Sequence, residues 1–363
     1  MVLGMNDVMK VVVAGTSFGR IYLDAVRSDP DLALAGILGR GSRTTRALAE
    51  QHDVPMLTSV ADVGDDVDMA CVVIGSAVNG GPGAEIAQAF LRRGIHVLQE
   101  HPLHPAEIVE CLRAARQGGA VHHVSTLYPD VEPVRCFLAA AQRLREQQPV
   151  LFVDAACSSQ VLYPLLDMIG RALGGVRPWA FAEPTAADAE VTRACRSEQP
   201  FQSVQAAIAG VPVALRVQNQ INPADRDNHA LLLHRLALGF EGGVLTLADS
   251  HGPVLWNPRM YAPRDEEGRL VLDGPANPRL DAASTRLLGD WRTRTYREVF
   301  TQVWPDAVGA ALRRLREEIA AEPSQRTTAQ RGLAVSRVWA DLTARLGPPQ
   351  LIDSAAPQPV SPI

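Results

Sequence analysis

The run Val8–Ala14 is short, apolar and β-branched. Gly15-Thr16-Ser17-Phe18-Gly19 breaks it, and a helical pattern follows from Arg20. A turn at the head of a helix can cradle a phosphate. Glycine lets the backbone come close, and the N–H groups and the helix start carry partial positive charge. The dinucleotide fingerprint is G-x-G-x-x-G. Here Ser17 stands at the second glycine and Gly19 arrives one residue early for the third. The loop alone is a weak signal, and an ordinary β-α turn is the plain reading; its place after the first strand of a β-α-β unit favours the phosphate cradle. The end of the next strand is more informative. NAD enzymes carry an acidic residue there for the ribose hydroxyls. This chain reads Gly39-Arg40-Gly41-Ser42-Arg43-Thr44, with no carboxylate. Two guanidinium groups and two hydroxyls at a helix start suit a 2′-phosphate, against the plainer reading of a solvated turn. The expected cofactor is NADPH, held by Gly15, Thr16, Ser17, Phe18, Gly19, Arg40, Ser42 and Arg43. Ser76, Glu100 and His101 complete the expected contacts.

Two further residues can move a proton. His101 directly follows the strand Ile95–Gln99, at the edge where ligands collect in open α/β sheets. Pro102 and Pro105 keep that segment from continuing as helix. Tyr128 follows the next strand, at the expected junction of two domains, where a substrate cleft is common. Taken alone, a histidine at a strand end is as a rule a structural hydrogen-bonding residue, and Tyr128 a packing one. His104 invites a zinc reading, but no third ligand has metal-site spacing. His122 and His123 point to opposite sides of a strand. No Ser-His-Asp arrangement is defensible.

The elements that must position these groups fall into two sets. Through residue 125 the chain alternates strands (Val8–Ala14, Leu32–Leu38, Met69–Ile74, Ile95–Gln99, His122–Ser125) with helices (Arg20–Arg27, from Ser42 to about His52, Pro82–Arg93, Ala106–Gln117). Such repeats demand a parallel sheet covered on both faces. After Tyr128 come a helix at Val131–Glu146, a strand at Val150–Cys157 and a helix at Leu162–Leu173, then β-like runs at Ser203–Ala209, Val211–Asn219, Ala230–Phe240 and Val244–Ser250. These predict an open, mostly antiparallel sheet with one helical face. Asp306–Ala321 and Thr328–Leu346 read as closing helices. The expected fold is α/β: a doubly wound domain over 1–128, a substrate and oligomerisation domain over 129–347, and a Pro-rich, frayed tail over 348–363.

Composition excludes several classes. A net charge of −5 gives no electrostatic case for nucleic acid or an anionic membrane. Lys10 is the only lysine. Five widely spaced cysteines without a C-x-x-C suit reduced thiols in the cytoplasm rather than disulfides or zinc. No signal peptide and no membrane span are expected.

Gly94-Ile-His-Val-Leu-Gln-Glu100-His101-Pro102-Leu103 resembles the G-x-H-V-x-x-E-K-P motif of the Gfo/Idh/MocA oxidoreductase family. That resemblance implies an N-terminal Rossmann domain and a C-terminal α/β domain with an open sheet. His101 replaces the family's lysine. The later G-x-H-x-x-D motif reads Leu162-Tyr163-Pro164-Leu165-Leu166-Asp167, so Pro164 stands where the catalytic histidine of sugar dehydrogenases belongs. Gly15-Thr-Ser-Phe-Gly19-Arg-Ile-Tyr22, Arg40-Gly-Ser-Arg43, Gln99-Glu-His-Pro-Leu-His-Pro105 and Thr126-Leu-Tyr-Pro129 are together similar to the thiazolinyl imine reductases of siderophore biosynthesis. The resemblance implies NADPH-dependent reduction of a thiazoline C=N bond to a thiazolidine, on an intermediate tethered to a nonribosomal peptide synthetase carrier domain of the pyochelin or yersiniabactin type. It favours Tyr128 and His101 as a catalytic pair. A homodimer through the free face of the second sheet, over residues 203–250, is expected. The alternatives are a sugar or cyclitol dehydrogenase of the same family, or a non-catalytic NADP(H)-binding protein.

Overall fold

A computed structural model describes residues 8–185, 188–273, 277–278, 280–321, 328–358 and 360. The chain divides into two units. One is Met1–Glu132 with Thr293–Ala340, the other Pro133–Arg292 with Asp341–Ile363.

The first unit opens with β1 (Met9–Ala14), α1 (Gly19–Ser28), β2 (Leu32–Leu38), α2 (Arg43–Gln51), β3 (Met56–Leu57), β4 (Met69–Val72), α3 (Gly83–Arg92), β5 (His96–Glu100), α4 (Pro105–Gly118) and β6 (His122–Ser125). The strands are parallel, in the order β3-β2-β1-β4-β5-β6. Val11, Val12, Val13, Cys71, Val72, Val97 and Leu98 are fully buried. Unbroken apolar strands of this kind need cover on both faces, which only crossover helices supply. Strand order reverses between β1 and β4, so a crevice opens at the carboxyl ends of the strands. Helix starts are set locally. Ser42 Oγ accepts from Thr45 N–H at 3.1 Å, and His104 Nδ1 from Ala106 N–H at 3.4 Å while Glu107 reaches back to His104 N–H at 2.8 Å.

The second unit contains nearly all of α5 (Glu132–Arg145), then β7 (Phe152–Ser158), α6 (Leu162–Leu173), β8 (Trp179–Phe181), α7 (Ala189–Ala194), β9 (Gln202–Ile208), β10 (Val211–Gln218), β11 (Gln220–Ile221), β12 (His234–Phe240), β13 (Gly243–Leu247), β14 (Val254–Pro258) and β15 (Arg286–Leu288). Its main sheet runs β15-β14-β13-β12-β7-β10-β9-β8. All neighbours are antiparallel except β7 and β10, a parallel pair that sequence patterning did not anticipate. β10 shows the half-buried alternation: Val213, Leu215 and Val217 are buried, Pro212, Ala214 and Arg216 exposed.

The chain then returns to the first unit through α8 (Tyr296–Glu298) and α9 (Trp304–Ala320). The expected boundary near residue 128 had left this stretch with the second domain. Arg316 reaches Asp31 at 3.0 Å and Asp29 at 3.8 Å, and Arg314 forks onto the buried Asp130. Those partners are far away in sequence, so local periodicity cannot show them. α10 (Thr328–Leu346) leads to β16 (Gln350–Leu351), which pairs parallel with β11. Asn222 Nδ2 also donates to the Ser354 carbonyl at 3.2 Å. The tail expected to fray is therefore hydrogen-bonded as far as Ser354; residues 359 and 361–363 lie outside the described residues. Among the described residues no helix is long and apolar enough to cross a membrane.

Candidate active site

Every candidate residue lies in the first unit, at or just beyond the carboxyl ends of its strands. Gly15 follows β1 with φ +100°, and a Cβ there would come within 2.3 Å of the Val73 carbonyl oxygen. Any side chain would block this turn, so glycine is required. The loop Thr16–Phe18 is half-buried to exposed and runs into α1, whose first turn carries no acidic residue. Arg40, Ser42 and Arg43 are exposed at the end of β2 and the start of α2, again with no acid in the first helical turn. A line of hydroxyls joins the two loops: Thr16 Oγ1 to Thr45 Oγ1 at 3.1 Å, and Thr45 Oγ1 to Ser42 Oγ at 2.9 Å. Sequence reading had passed over Thr45, which is buried beneath Gly39. Ser76 lies in the loop after β4; its buried hydroxyl donates to the Pro102 carbonyl at 2.7 Å.

β5 and β6 pair Glu100 with Ser125, so His101 and Tyr128 leave adjacent strands at one edge. The Glu100 carboxylate accepts from the Tyr22 hydroxyl, which also lies 3.0 Å from Ser125 Oγ. Burial, then the charge of Glu100, pushes the Tyr22 phenol well above its usual range, so it remains a neutral donor. His101 Nδ1 lies 3.0 Å from Glu100 Oε1 and 3.1 Å from the Ser125 carbonyl oxygen. Both neighbours are acceptors. Nδ1 therefore holds the hydrogen.

Tyr128 follows an unusual turn. Its N–H donates to the Thr126 carbonyl at 2.7 Å, and Leu127 between them has φ +56° and ψ −65°. This is a γ-turn of the rare positive-φ kind, and holding a leucine there costs about 1–3 kcal/mol. The surroundings must enforce it. Asp130 is gripped by Arg314, and the Tyr128 ring, buried, packs edge-on against Trp304 at 6.3 Å between centroids. Trp304 lies 5.7 Å from the Phe18 ring as well. Sequence reading assigned no role to Trp304, Arg314 or Tyr22. The Trp-Pro step directly before the expected helix Asp306–Ala321 was the one available signal for the first of these.

Elsewhere the family's second motif is closed. Asp167 on α6 is bound by Arg171 through Nε at 3.2 and 3.1 Å and Nη2 at 3.0 Å, one turn along the same helix. His104 caps α4. Among the described residues no three His, Cys, Asp or Glu side chains form a metal-ligand group. Burial pushes the Cys71 and Cys111 thiols up to about 12, which leaves them unreactive at neutral pH.

Residues 9–126 match the oxidoreductase family with NAD-binding Rossmann fold (Gfo/Idh/MocA), and residues 147–257 match the C-terminal domain of Irp3-like thiazolinyl imine reductases. A search of curated proteins found no match. Among solved structures, the chain is similar to KijD10, a 3-ketoreductase from Actinomadura kijaniata in complex with NADP and TDP-benzene: TM-score 0.65, 14% identity, covering 95% of this chain and 99% of that one. UDP-N-acetylglucosamine 3-dehydrogenase GnnA from Acidithiobacillus ferrooxidans gives a TM-score of 0.61 at 15% identity, covering 93% and 95%. GenD2 from gentamicin A biosynthesis, in complex with NAD, gives 0.60 at 15%, covering 93% of each chain. At such identities the likeness is one of fold. Strand order and the two family matches agree: residues 9–126 form a Rossmann domain of the Gfo/Idh/MocA oxidoreductase type, and residues 147–257 an Irp3-like C-terminal domain.

Proposed function

We propose that this protein uses NADPH to reduce the C=N bond of a thiazoline to a thiazolidine, on a siderophore intermediate tethered to a peptide synthetase carrier domain. The match of residues 147–257 to the thiazolinyl imine reductase C-terminal domain carries the reading. The loop at Gly15 fits a dinucleotide, because it joins the end of β1 to the start of α1, whose first turn carries no acid to repel a phosphate. Gly15, Thr16, Ser17, Phe18 and Gly19 would hold the pyrophosphate, and Arg40, Ser42 and Arg43 the 2′-phosphate. Ser76, Glu100 and His101 line the same sheet edge. Bound NADPH supplies the hydride.

Reduction also requires a proton at the ring nitrogen. Tyr128 is the first choice of donor, since a phenol with a reference pKa of about 10 is protonated at working pH. His101 donates or orients. Its Nδ1 is held by Glu100 and the Ser125 carbonyl, which fixes the ring beside the strand that leads to Tyr128. The sugar-dehydrogenase alternative lacks its histidine at Pro164, and Asp167 is engaged by Arg171.

The test follows NADPH oxidation by the purified chain with a carrier-bound thiazoline or a small thiazoline thioester, and NADP⁺ reduction with polyols. Turnover on the carrier-bound thiazoline, far more efficient than on the small thioester, is expected, because remote binding energy helps position the ring. Comparable efficiency on both removes the need for a carrier partner. Oxidation of polyols without thiazoline turnover establishes the dehydrogenase reading. The open face of the second sheet, with Pro212, Ala214, Arg216 and Phe152 exposed, suits a homodimer. A monodisperse monomer by light scattering at micromolar concentration would remove that part.

A further inference from the structure

We infer that Trp304 is a positioning residue for the proposed reduction, fixing the cofactor loop and the proton donor relative to one another. This rests on the reading above. Its indole lies between the Phe18 ring of the cofactor loop at 5.7 Å and the Tyr128 ring at 6.3 Å. One rigid group thus touches the residues that flank the two halves of the reaction, hydride delivery and proton delivery. Phe300 packs edge-on behind it at 4.9 Å, and Tyr296 stacks on Phe300 at 6.1 Å. The chain is poor in aromatics, 5% of its residues, yet six of them (Tyr296, Phe300, Trp304, Phe18, Tyr22, Tyr128) form one connected series in this unit.

The backbone at this point is built to aim the indole. Pro305 lacks an N–H and crowds the carbonyl four residues earlier, which an α-helix cannot accommodate without loosening. The chain widens into a π-helical turn over Val299–Val303, and Trp304 N–H donates to the Val299 carbonyl, five residues back. One extra residue per turn rotates the side chains that follow against those before. Single π-turns inside α-helices recur at functional sites. From the other end of the contact, Arg314 on the same helix grips Asp130 two residues past Tyr128. α9 thus holds the strained turn at Leu127 from two points.

The experiment compares the intact protein with Trp304→Ala and Trp304→Phe. Each is measured for kcat, KM and NADPH affinity well below its own melting temperature, and for the isotope effect with NADPH deuterated at the transferred position. A misplacement of about 1 Å can cost 100-fold. Trp304→Ala should lower kcat by tenfold or more while NADPH affinity changes less than threefold. The isotope effect should be kept or enlarged, and Trp304→Phe should recover most of the rate. Unchanged kcat at that temperature, or a loss confined to NADPH affinity, overturns the inference. A second readout is independent of turnover: fluorotyrosine at position 128, followed by ¹⁹F NMR as NADPH is added. Trp304 predicts an NADPH-induced shift that the Ala variant loses and the Phe variant keeps. If the wild type reduces no thiazoline, the reduction reading fails, and this signal alone decides: the same shift in all three proteins overturns the coupling.

Discussion

Two places in this molecule correspond, by resemblance, to the proton-handling positions of the wider family, and they differ. At the edge of β5 and β6 the lysine has become His101, yet the position remains wired: one ring nitrogen faces Glu100 and Ser125, and Glu100 is held by Tyr22. Nearby, Leu127 is kept in a strained turn that presents Tyr128. On α6 the histidine has become Pro164, and the remaining carboxylate is closed on Arg171. The first position is built from groups on two strands and a helix, the second from a pair one turn apart on a single helix. On the proposed reading the chemistry is concentrated on the nucleotide-binding unit.

The largest effect should come from Tyr128→Phe. A positioned acid contributes roughly 10²–10⁴-fold, and kcat should fall by that factor with NADPH affinity nearly intact. His101→Ala should match it if the two act as a unit. Near-normal turnover in both single variants and the double variant, with hydride transfer limiting, would show that neither is the essential acid. Next in size is cofactor choice. Charged hydrogen bonds contribute about 1.5–3 kcal/mol each, so replacing Arg40 and Arg43 with Ala should cut the NADPH-to-NADH ratio of kcat/KM at least tenfold. Equal losses for both cofactors would reject the 2′-phosphate site.

Asp167→Asn sharpens the contrast from the other side. Removing the charge weakens the fork with Arg171 at a site where the aspartate is buried, costing about 1–3 kcal/mol by thermal or urea unfolding. kcat should move less than threefold. A kinetic collapse without loss of stability would return α6 to the catalytic machinery. The smallest effect lies inside the parallel sheet. Burial lowers His122 from 6.5 to about 4. Between those values the unfolded chain binds the extra proton and the folded one does not. This contribution is therefore complete above pH 6.5 and is lost as pH falls toward 4. By one pH unit below the upper value it amounts to about 1.4 kcal/mol, and His122→Asn should flatten that part of the unfolding profile.

Much of this was legible in the sequence where a side-chain pattern and a backbone demand coincide. The helices Leu162–Leu173 and Thr328–Leu346 and the strand His122–Ser125 lie where periodicity places them, and Ser42 caps the helix it was expected to cap. Gly15 was visible because only glycine tolerates that turn. Strands of two or three residues, such as Met56–Leu57 and Arg286–Leu288, are too short to carry a period. Trp304 and Arg314 were invisible for another reason. Their meaning comes from Phe18, Tyr128 and Asp130, more than 170 positions away in the sequence. The protonated nitrogen of His101 likewise depends on two acceptors that only strand register brings together.

The first unit is discontinuous in the chain, and this has a consequence for how the protein is made. When the ribosome has passed Glu132, all six strands of the parallel sheet have been synthesised, but Asp29, Asp31 and Asp130 still lack their arginines. Phe18 and Tyr128 lack the indole that lies between them. At 5–20 residues per second, roughly 10–40 s of translation separate Glu132 from the end of α9. Throughout that interval the nascent protein carries all six parallel strands while Phe18, Tyr128 and Asp130 wait for their partners on α9.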